Sequence, residues 1–287
     1  MAIATAATKR TERPSSSLSD ETLTEWLRMM TLIREFETRT MQAYSNAFIG
    51  GFCHVYTGQE ACAVVTINAV NHDDPVITAY RDHGHALARG MHPNACMAEM
   101  YGKLPGCAKG KGGSMHMFDR PNHLYGGHGI VGAQTPLGAG LAFATKYERE
   151  VMKQTDKKRV CLCYLGDGAL NQGAFHEAMN LAGLFSLPVI YIVENNRYSM
   201  GTSIERGTTM AHDLKKKADA YGIEALKIDT MDPLEMYDAF RPLAERCRDE
   251  QRPAFVDLHT YRYFGHSMSD PQKYRGKEEI EEVKQRD

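Results

Sequence analysis

No apolar run in this chain approaches the ~20 residues that a membrane-spanning helix needs. The longest, Leu187–Val193, is short and contains Pro188. An excess of one charge is also missing: 34 Lys and Arg against 36 Asp and Glu leave a net charge of −2. That balance offers no basic surface for nucleic acid and no basic face for a membrane. The cysteines at 53, 62, 96, 107, 161, 163 and 247 form no CxxC pair and no zinc-finger spacing. They read as reduced, buried thiols. Internal repeats are absent. What remains, 43% hydrophobic and 24% charged residues over a length of 287, suits a globular protein with its own core.

Residues 1–19, rich in Ala, Thr and Ser with Lys9, Arg10 and Arg13, read as a disordered tail, and residues 20–287 as one α/β domain. Acids are sparse in the tail apart from Glu12, as in a transit peptide, but the segment is short and not clearly amphipathic. A bacterial-type cytoplasmic location is therefore expected ahead of a mitochondrial matrix one. Ser19 or Asp20 should cap a long helix that buries Leu23, Trp26, Leu27, Met30, Ile33, Phe36 and Tyr44 and ends at Gly50-Gly51. A second helix is expected over Gln59–Val70, a turn at His72–Pro75, and a short buried strand at Val76–Ala79 that delivers Tyr80-Arg81-Asp82-His83.

The stretch from Lys103 to Gly132 is glycine-rich, carries His116, His123 and His128, and reads as one long functional loop. A helix follows over Thr135–Glu150, with small residues on close-packed faces. Next come strands at Arg159–Leu165 and Leu187–Glu194 around a helix at Asn171–Phe185, a polar loop at Gly201–Ala211, and a strand at Ala254–Tyr261. Cys161 and Cys163 should face one side of the sheet. Strands alternating with helices predict an α/β fold, a mostly parallel sheet covered by helices on both faces. The charged stretch Glu278–Asp287 reads as a helix with no closing element after it, as in a truncated chain.

Gly166-Asp167-Gly168 closes one of these strands and Asn195-Asn196 closes the next. Ligands of open parallel sheets sit outside such strand ends. A carboxylate and a carboxamide suit a hard cation such as magnesium. Glycines beside Asp167 let a phosphate approach the backbone, and the following helix start favours an anion. The pattern predicts a magnesium-bound diphosphate and resembles the GDG…NN signature of thiamine-diphosphate enzymes.

Two other glycine-rich stretches are decoys. Gly127–Gly132 matches G-x-G-x-x-G, but residues 121–125 make a poor strand, and Glu148 and Glu150 fall inside the next helix rather than at a strand end. Lys109–Ser114 lacks the glycine spacing of a P-loop. The loop histidines His83, His85, His116 and His128 receive no catalytic role.

GFCHVYTGQEA (Gly51–Ala61), TAYRDHG (Thr78–Gly84), GCAKGKGGSMHMF (Gly106–Phe118), YGGHGIVGAQTPLGAG (Tyr125–Gly140), YLGDGALNQG (Tyr164–Gly173), LPVIYIVENNRYSMGTSIER (Leu187–Arg206) and TYRYFGHSMSDP (Thr260–Pro271) occur in that order. Together they resemble the alpha-subunit family of pyruvate dehydrogenase, the thiamine-diphosphate component of the 2-oxoacid dehydrogenase complexes. The resemblance runs from about Leu23 to the last residue and implies a thiamine-diphosphate-binding fold of the diphosphate-binding domain type. It implies that Asp167, Asn196 and the Tyr198 carbonyl coordinate magnesium, with two diphosphate oxygens and a water completing the shell. Gly168 and Ala169 would offer N–H groups to the diphosphate, and Tyr80 and Arg81 would hold the cofactor. Gly129 and Val131 would contact its aminopyrimidine through their backbone. His266 would lie near the diphosphate and reacting centre, and His54 on the substrate side. His128 departs from relatives that carry Asn there, which puts a side-chain role at that position in doubt.

The implied activity is oxidative decarboxylation of pyruvate, with the acetyl group passed to a lipoyl group on a dihydrolipoamide acetyltransferase. The implied assembly is two alpha and two beta chains, the beta subunit supplying the activating glutamate. FGHSMSDP and FCHVYTGQEA favour the pyruvate type over acetoin and branched-chain relatives; a non-catalytic cofactor-binding assembly subunit is the alternative of another class. Ser267 and Ser269 match positions that are phosphorylated in mitochondrial relatives, but a later serine is missing, so the chain is expected to be unregulated by phosphorylation.

Overall fold

The computed structural model describes residues 18–285 and 287, so the expectation for residues 1–17 lies outside the described residues. Helix α1 (Asp20–Ser45) starts as its sequence dictates: the Ser19 hydroxyl accepts from the Thr22 N–H, and Asp20 and Glu21 sit in the first turn. Trp26, Ile33 and Phe36 are buried, but Leu27 is exposed. The helix stops at Ser45, before Gly50-Gly51, because Asn46 donates back to Gln42 and Tyr44 and closes it. There follow α2 (Glu60–Asn68), β1 (Val76–Ala79), α3 (His83–Ala88), α4 (Pro93–Met100), β2 (Leu124–His128) and α5 (Gln134–Glu150). Then come β3 (Cys161–Gly166), α6 (Gly173–Leu184), β4 (Val189–Asn195), the hairpin β5 (Tyr198–Ser199) and β6 (Thr202–Ser203), and α7 (Ile204–Gly207). The chain continues through α8 (Lys216–Asp219), β7 (Glu224–Ile228), α9 (Pro233–Glu250), β8 (Ala254–His259) and α10 (Lys277–Lys284).

Six strands form one sheet in the order β2-β1-β3-β4-β8-β7, and every pairing in it is parallel. Alternation along the strands divides the core between the two faces. Leu162, Tyr164, Ile190, Ile192, Val256 and Leu258 pack on the side of α1, α2, α3 and α9. Cys161, Cys163, Leu165, Val189, Tyr191 and Phe255 pack on the side of α5, α6 and α8, so both strand thiols do share a face. Strands covered on both faces have nearly continuous apolar sequence, which is why β3 and β4 are legible.

Three further expectations need correction, the first being the polar loop at 201–211, which contains β6 and α7. The stretch 103–132 is not structureless: it contains two short 3-10 turns and the edge strand β2. β2 pairs with β1 through a register shift at Tyr125-Gly126, where Gly126 has φ +100 and a Cβ would run into the Phe118 ring. A strand therefore does lead into G-x-G-x-x-G, and a helix does follow it. The second objection to a nucleotide fingerprint stands, since Glu148 and Glu150 lie within α5. Likewise, His83 and His85 are not loop residues but fully buried members of α3.

Candidate functional site

β1 hands the chain to β2 on one side and β3 hands it to β4 on the other, so the sheet's switch point lies between β1 and β3. The strand ends there deliver Tyr80-Arg81, Gly166-Asp167-Gly168 and Asn195-Asn196 to one place. A cavity of about 240 Å³ is lined by Tyr80, Arg81, Val131, Asp167, Gly168, Ala169, Asn196, Tyr198 and His266. A wider cavity of about 860 Å³ adjoins it, sharing Tyr80, Val131, Met200 and His266 and adding His54 and Gly129. The residues singled out for the site in the sequence border one of these two spaces, except Asn195, whose amide turns away and donates to Asp257 at 2.9 Å.

Asp167 opens a 3-10 turn at the end of β3 and is only 3% exposed. Burial pushes its carboxyl up to about 6, against a lowering hydrogen bond from Ser199, whose hydroxyl donates at 3.2 Å. No lysine or arginine pairs with it among the described residues. The Asn196 side-chain amide donates to Gln59 Oε1 at 3.1 Å, and its Oδ1 accepts from the Tyr198 N–H at 3.2 Å. A Cβ on Gly168 would collide with the Ser199 side chain, whereas one on Gly166 would meet nothing within 4 Å. The backbone at Gly166 therefore faces open space. Among the described residues no three His, Cys, Asp or Glu side chains are grouped so that they could hold a metal ion by themselves. A cation here would rely on one carboxylate, amide and backbone oxygens, and a ligand that brings oxygens of its own, which is the donor chemistry of magnesium with a diphosphate.

Between the two cavities the rings of His54, Tyr80 and His266 cluster, with centroids 4.6, 5.1 and 5.5 Å apart. Burial, reinforced by the Arg81 guanidinium, pushes His54 down to about 2 and His266 down to about 4. Both imidazoles are therefore neutral at neutral pH and can donate or accept a hydrogen bond without carrying charge. The His54 Nδ1 is buried with no hydrogen-bond partner among the described residues. Arg81 lines the inner cavity and also braces it, donating to the Val55 carbonyl at 2.6 Å and the His266 carbonyl at 2.8 Å.

The low value for His54 sets the sign of one prediction. The unfolded imidazole takes its proton near 6.5 and the native one near 2, so stability falls as pH drops below 6.5. His54→Gln should flatten this decline, the difference between the two chains growing by roughly 2 kcal/mol between pH 6.5 and 4.5. Denaturant midpoints at the two pH values check it, and parallel curves would refute it.

Gln59, Glu194, Ser199 and Arg262 also border the inner cavity and were not anticipated. Gln59 and Arg262 lie within the quoted motifs, but nothing in their spacing singles them out. Glu194 is buried at the end of β4, where it accepts from the Tyr56 hydroxyl and stands 3.3 Å from His85 Nε2. His83 lies between the Glu37 carboxylate, 3.0 Å from Nδ1, and Ser114 Oγ, 2.9 Å from Nε2. That order imitates a hydrolytic triad, but Ser114 is buried and borders neither cavity, so the set ties helices together instead.

An α/β sheet with the buried carboxylate of Asp167 beside its switch point, on a cavity with a glycine wall, has the layout of a cofactor-dependent α/β enzyme. The family described as the dehydrogenase E1 component matches residues 28–287, and the chain belongs to that family. It is 51% identical over 258 residues to the pyruvate dehydrogenase E1 component subunit alpha of Rickettsia bellii, covering 90% of this chain and 77% of that one. The human mitochondrial somatic form of that subunit is 49% identical over 91% of this chain and 64% of its own length. Among solved structures, transketolase from Campylobacter jejuni superposes with a TM-score of 0.62 over 94% of this chain and 43% of its own, at 18% identity, a likeness of fold alone.

Proposed function

We propose that this chain is the diphosphate-holding half of a thiamine-diphosphate-dependent enzyme that decarboxylates pyruvate oxidatively. The observation that carries the reading is Asp167, a buried carboxylate with no ion-pair partner among the described residues, facing a cavity with a glycine wall. Asp167, the Asn196 amide oxygen and the Tyr198 carbonyl would hold magnesium. The N–H groups of Gly168 and Ala169, in the first turn after β3, would take the diphosphate, and Arg81 would add charge at the cavity wall. Gly129 and Val131 would present backbone to the aminopyrimidine. When bound, thiamine diphosphate supplies the carbon nucleophile and the electron sink for decarboxylation. His54 and His266, both neutral, would orient the 2-oxo acid by hydrogen bonds at the junction of the cavities.

The site is proposed to be shared with a beta subunit, two of each chain, that contributes the activating glutamate, and the acetyl group is proposed to pass from the shared site to the lipoyl group of an acetyltransferase. Two surfaces support a subunit contact. Ile130 beside the outer cavity is 76% exposed, and α5 and α6 leave Phe143, Leu181, Leu184 and Phe185 exposed. Sequence similarity to bacterial subunits supports a cytoplasmic location. Carbon dioxide release from pyruvate should depend on added thiamine diphosphate and magnesium when this chain is co-purified with its beta subunit. An intact, cofactor-loaded assembly that releases none would remove pyruvate as the substrate.

A further inference from the structure

The lysine- and glycine-rich segment that fails as a P-loop is nonetheless folded around an anion, and the anion is part of the chain. Glu99, in the last turn of α4, is fully buried at the centre of residues 106–113. Its Oε2 accepts from the N–H groups of Ala108 at 2.7 Å and Gly110 at 2.9 Å. Its Oε1 accepts from Gly112 at 2.6 Å and Gly113 at 3.3 Å. Four backbone donors converging on one carboxylate make a nest of the kind that elsewhere binds phosphate. The glycines are there to close it. A Cβ on Gly106 would strike Glu99 itself, and one on Gly112 would lie 3.2 Å from Oε1 and 2.6 Å from the His116 carbonyl. Gly110, at φ +75, backs onto Gly102 with no room for a side chain.

The nest leads directly into the site. Ser114 receives the His54 N–H at 3.3 Å, Met115 and His116 line the outer cavity, and His116 Nδ1 lies 3.0 Å from the Gly127 carbonyl. The wall of the outer cavity is therefore continuous with a loop whose interior is held by one carboxylate. Lys109 and Lys111 remain exposed on its outer side.

We propose that residues 106–113 form a carboxylate-binding nest whose resident ligand is Glu99, and that Glu99 is the positioning residue that sets Met115 and His116 against the substrate. The second half rests on the pyruvate-decarboxylating reading above; the first half does not. Emptying the nest with Glu99→Ala leaves four N–H groups converging on vacated space, which a small exogenous carboxylate can occupy.

The test uses the assembled enzyme with its beta subunit, wild type against Glu99→Ala and Glu99→Gln, with sodium acetate against sodium chloride at equal ionic strength. Trypsin should cut Glu99→Ala after Lys109 and Lys111 far faster than wild type, and acetate, unlike chloride, should restore protection. The KM for pyruvate should rise by roughly 10- to 100-fold with thiamine diphosphate affinity little changed, as expected for misplacement of a positioning wall. Acetate should reverse that rise as well. Glu99→Gln, which keeps one acceptor oxygen, should fall between the two and serves if the alanine variant does not assemble. Unchanged cleavage and KM, or equal rescue by acetate and chloride, would overturn the proposal. If pyruvate is not the substrate, turnover is lost in every variant, yet acetate-dependent protection from trypsin still reports on the nest.

Discussion

Asp167→Ala is expected to abolish cofactor-dependent carbon dioxide release, by at least about 100-fold, while leaving the cofactor-free chain no less stable than wild type. The two halves of this result have one cause. Burial lifts the Asp167 carboxyl to about 6, so the unfolded chain ionises it near 3.8 and the native one later. The empty site therefore loses stability as pH rises through that window, and alanine removes the penalty. In the proposed shell, with cation and diphosphate bound, the same charge would be the one charged ligand that this chain supplies. Saturating cofactor and magnesium should raise the wild-type melting temperature, since ligand at about 100 times its Kd adds roughly 2.7 kcal/mol, and this increment should vanish in the variant. Asp167→Asn, which keeps a partner for Ser199 without the charge, should resemble alanine in binding. A variant that binds cofactor and turns over like wild type would end the assignment of this site.

That site was legible because its chemistry sits at strand ends. Buried parallel strands read as apolar runs, and polar residues closing them stand out against the background. Asp167 and Asn196 stand out this way, just after β3 and β4. The remaining walls were hidden for physical reasons. Gln59 and Arg262 come from the N-terminal end of α2 and the segment after β8, and only the closed fold brings them to the cavity. β2 was missed because its Leu-Tyr-Gly-Gly-His sequence has little intrinsic strand character; pairing with β1, with a bulge at Gly126, makes it a strand. His83 and His85 looked like loop residues because polarity suggests a surface. Their partners, Glu37 and Glu194, lie far off in sequence, and no local pattern encodes such a pairing. The nest around Glu99 had a visible half, the glycines, whereas its ligand sits on a separate helix.

The largest effect on stability is expected away from the site, at a residue that sequence presents as an ordinary turn acid. Asp74 is completely buried before β1. Its Oδ1 accepts from the Val160 N–H at 2.8 Å and from Arg248 Nη1 at 2.9 Å, and its Oδ2 accepts from the Asn71 N–H at 2.7 Å and from Arg248 Nη2. One carboxylate thus joins the entry to β1, the entry to β3 and helix α9. Asp74→Ala should cost about 3–5 kcal/mol, because it strands a largely buried guanidinium and two N–H groups together. The melting temperature should fall on the order of 10 °C. Pairing it with Arg248→Met gives the decisive comparison. If the stranded charge dominates, the double variant should recover part of the loss, and strict additivity would show that the backbone donors carry the effect instead. Because β1 and β3 flank the switch point, the same variant should also weaken cofactor binding without touching any residue that lines the cavity.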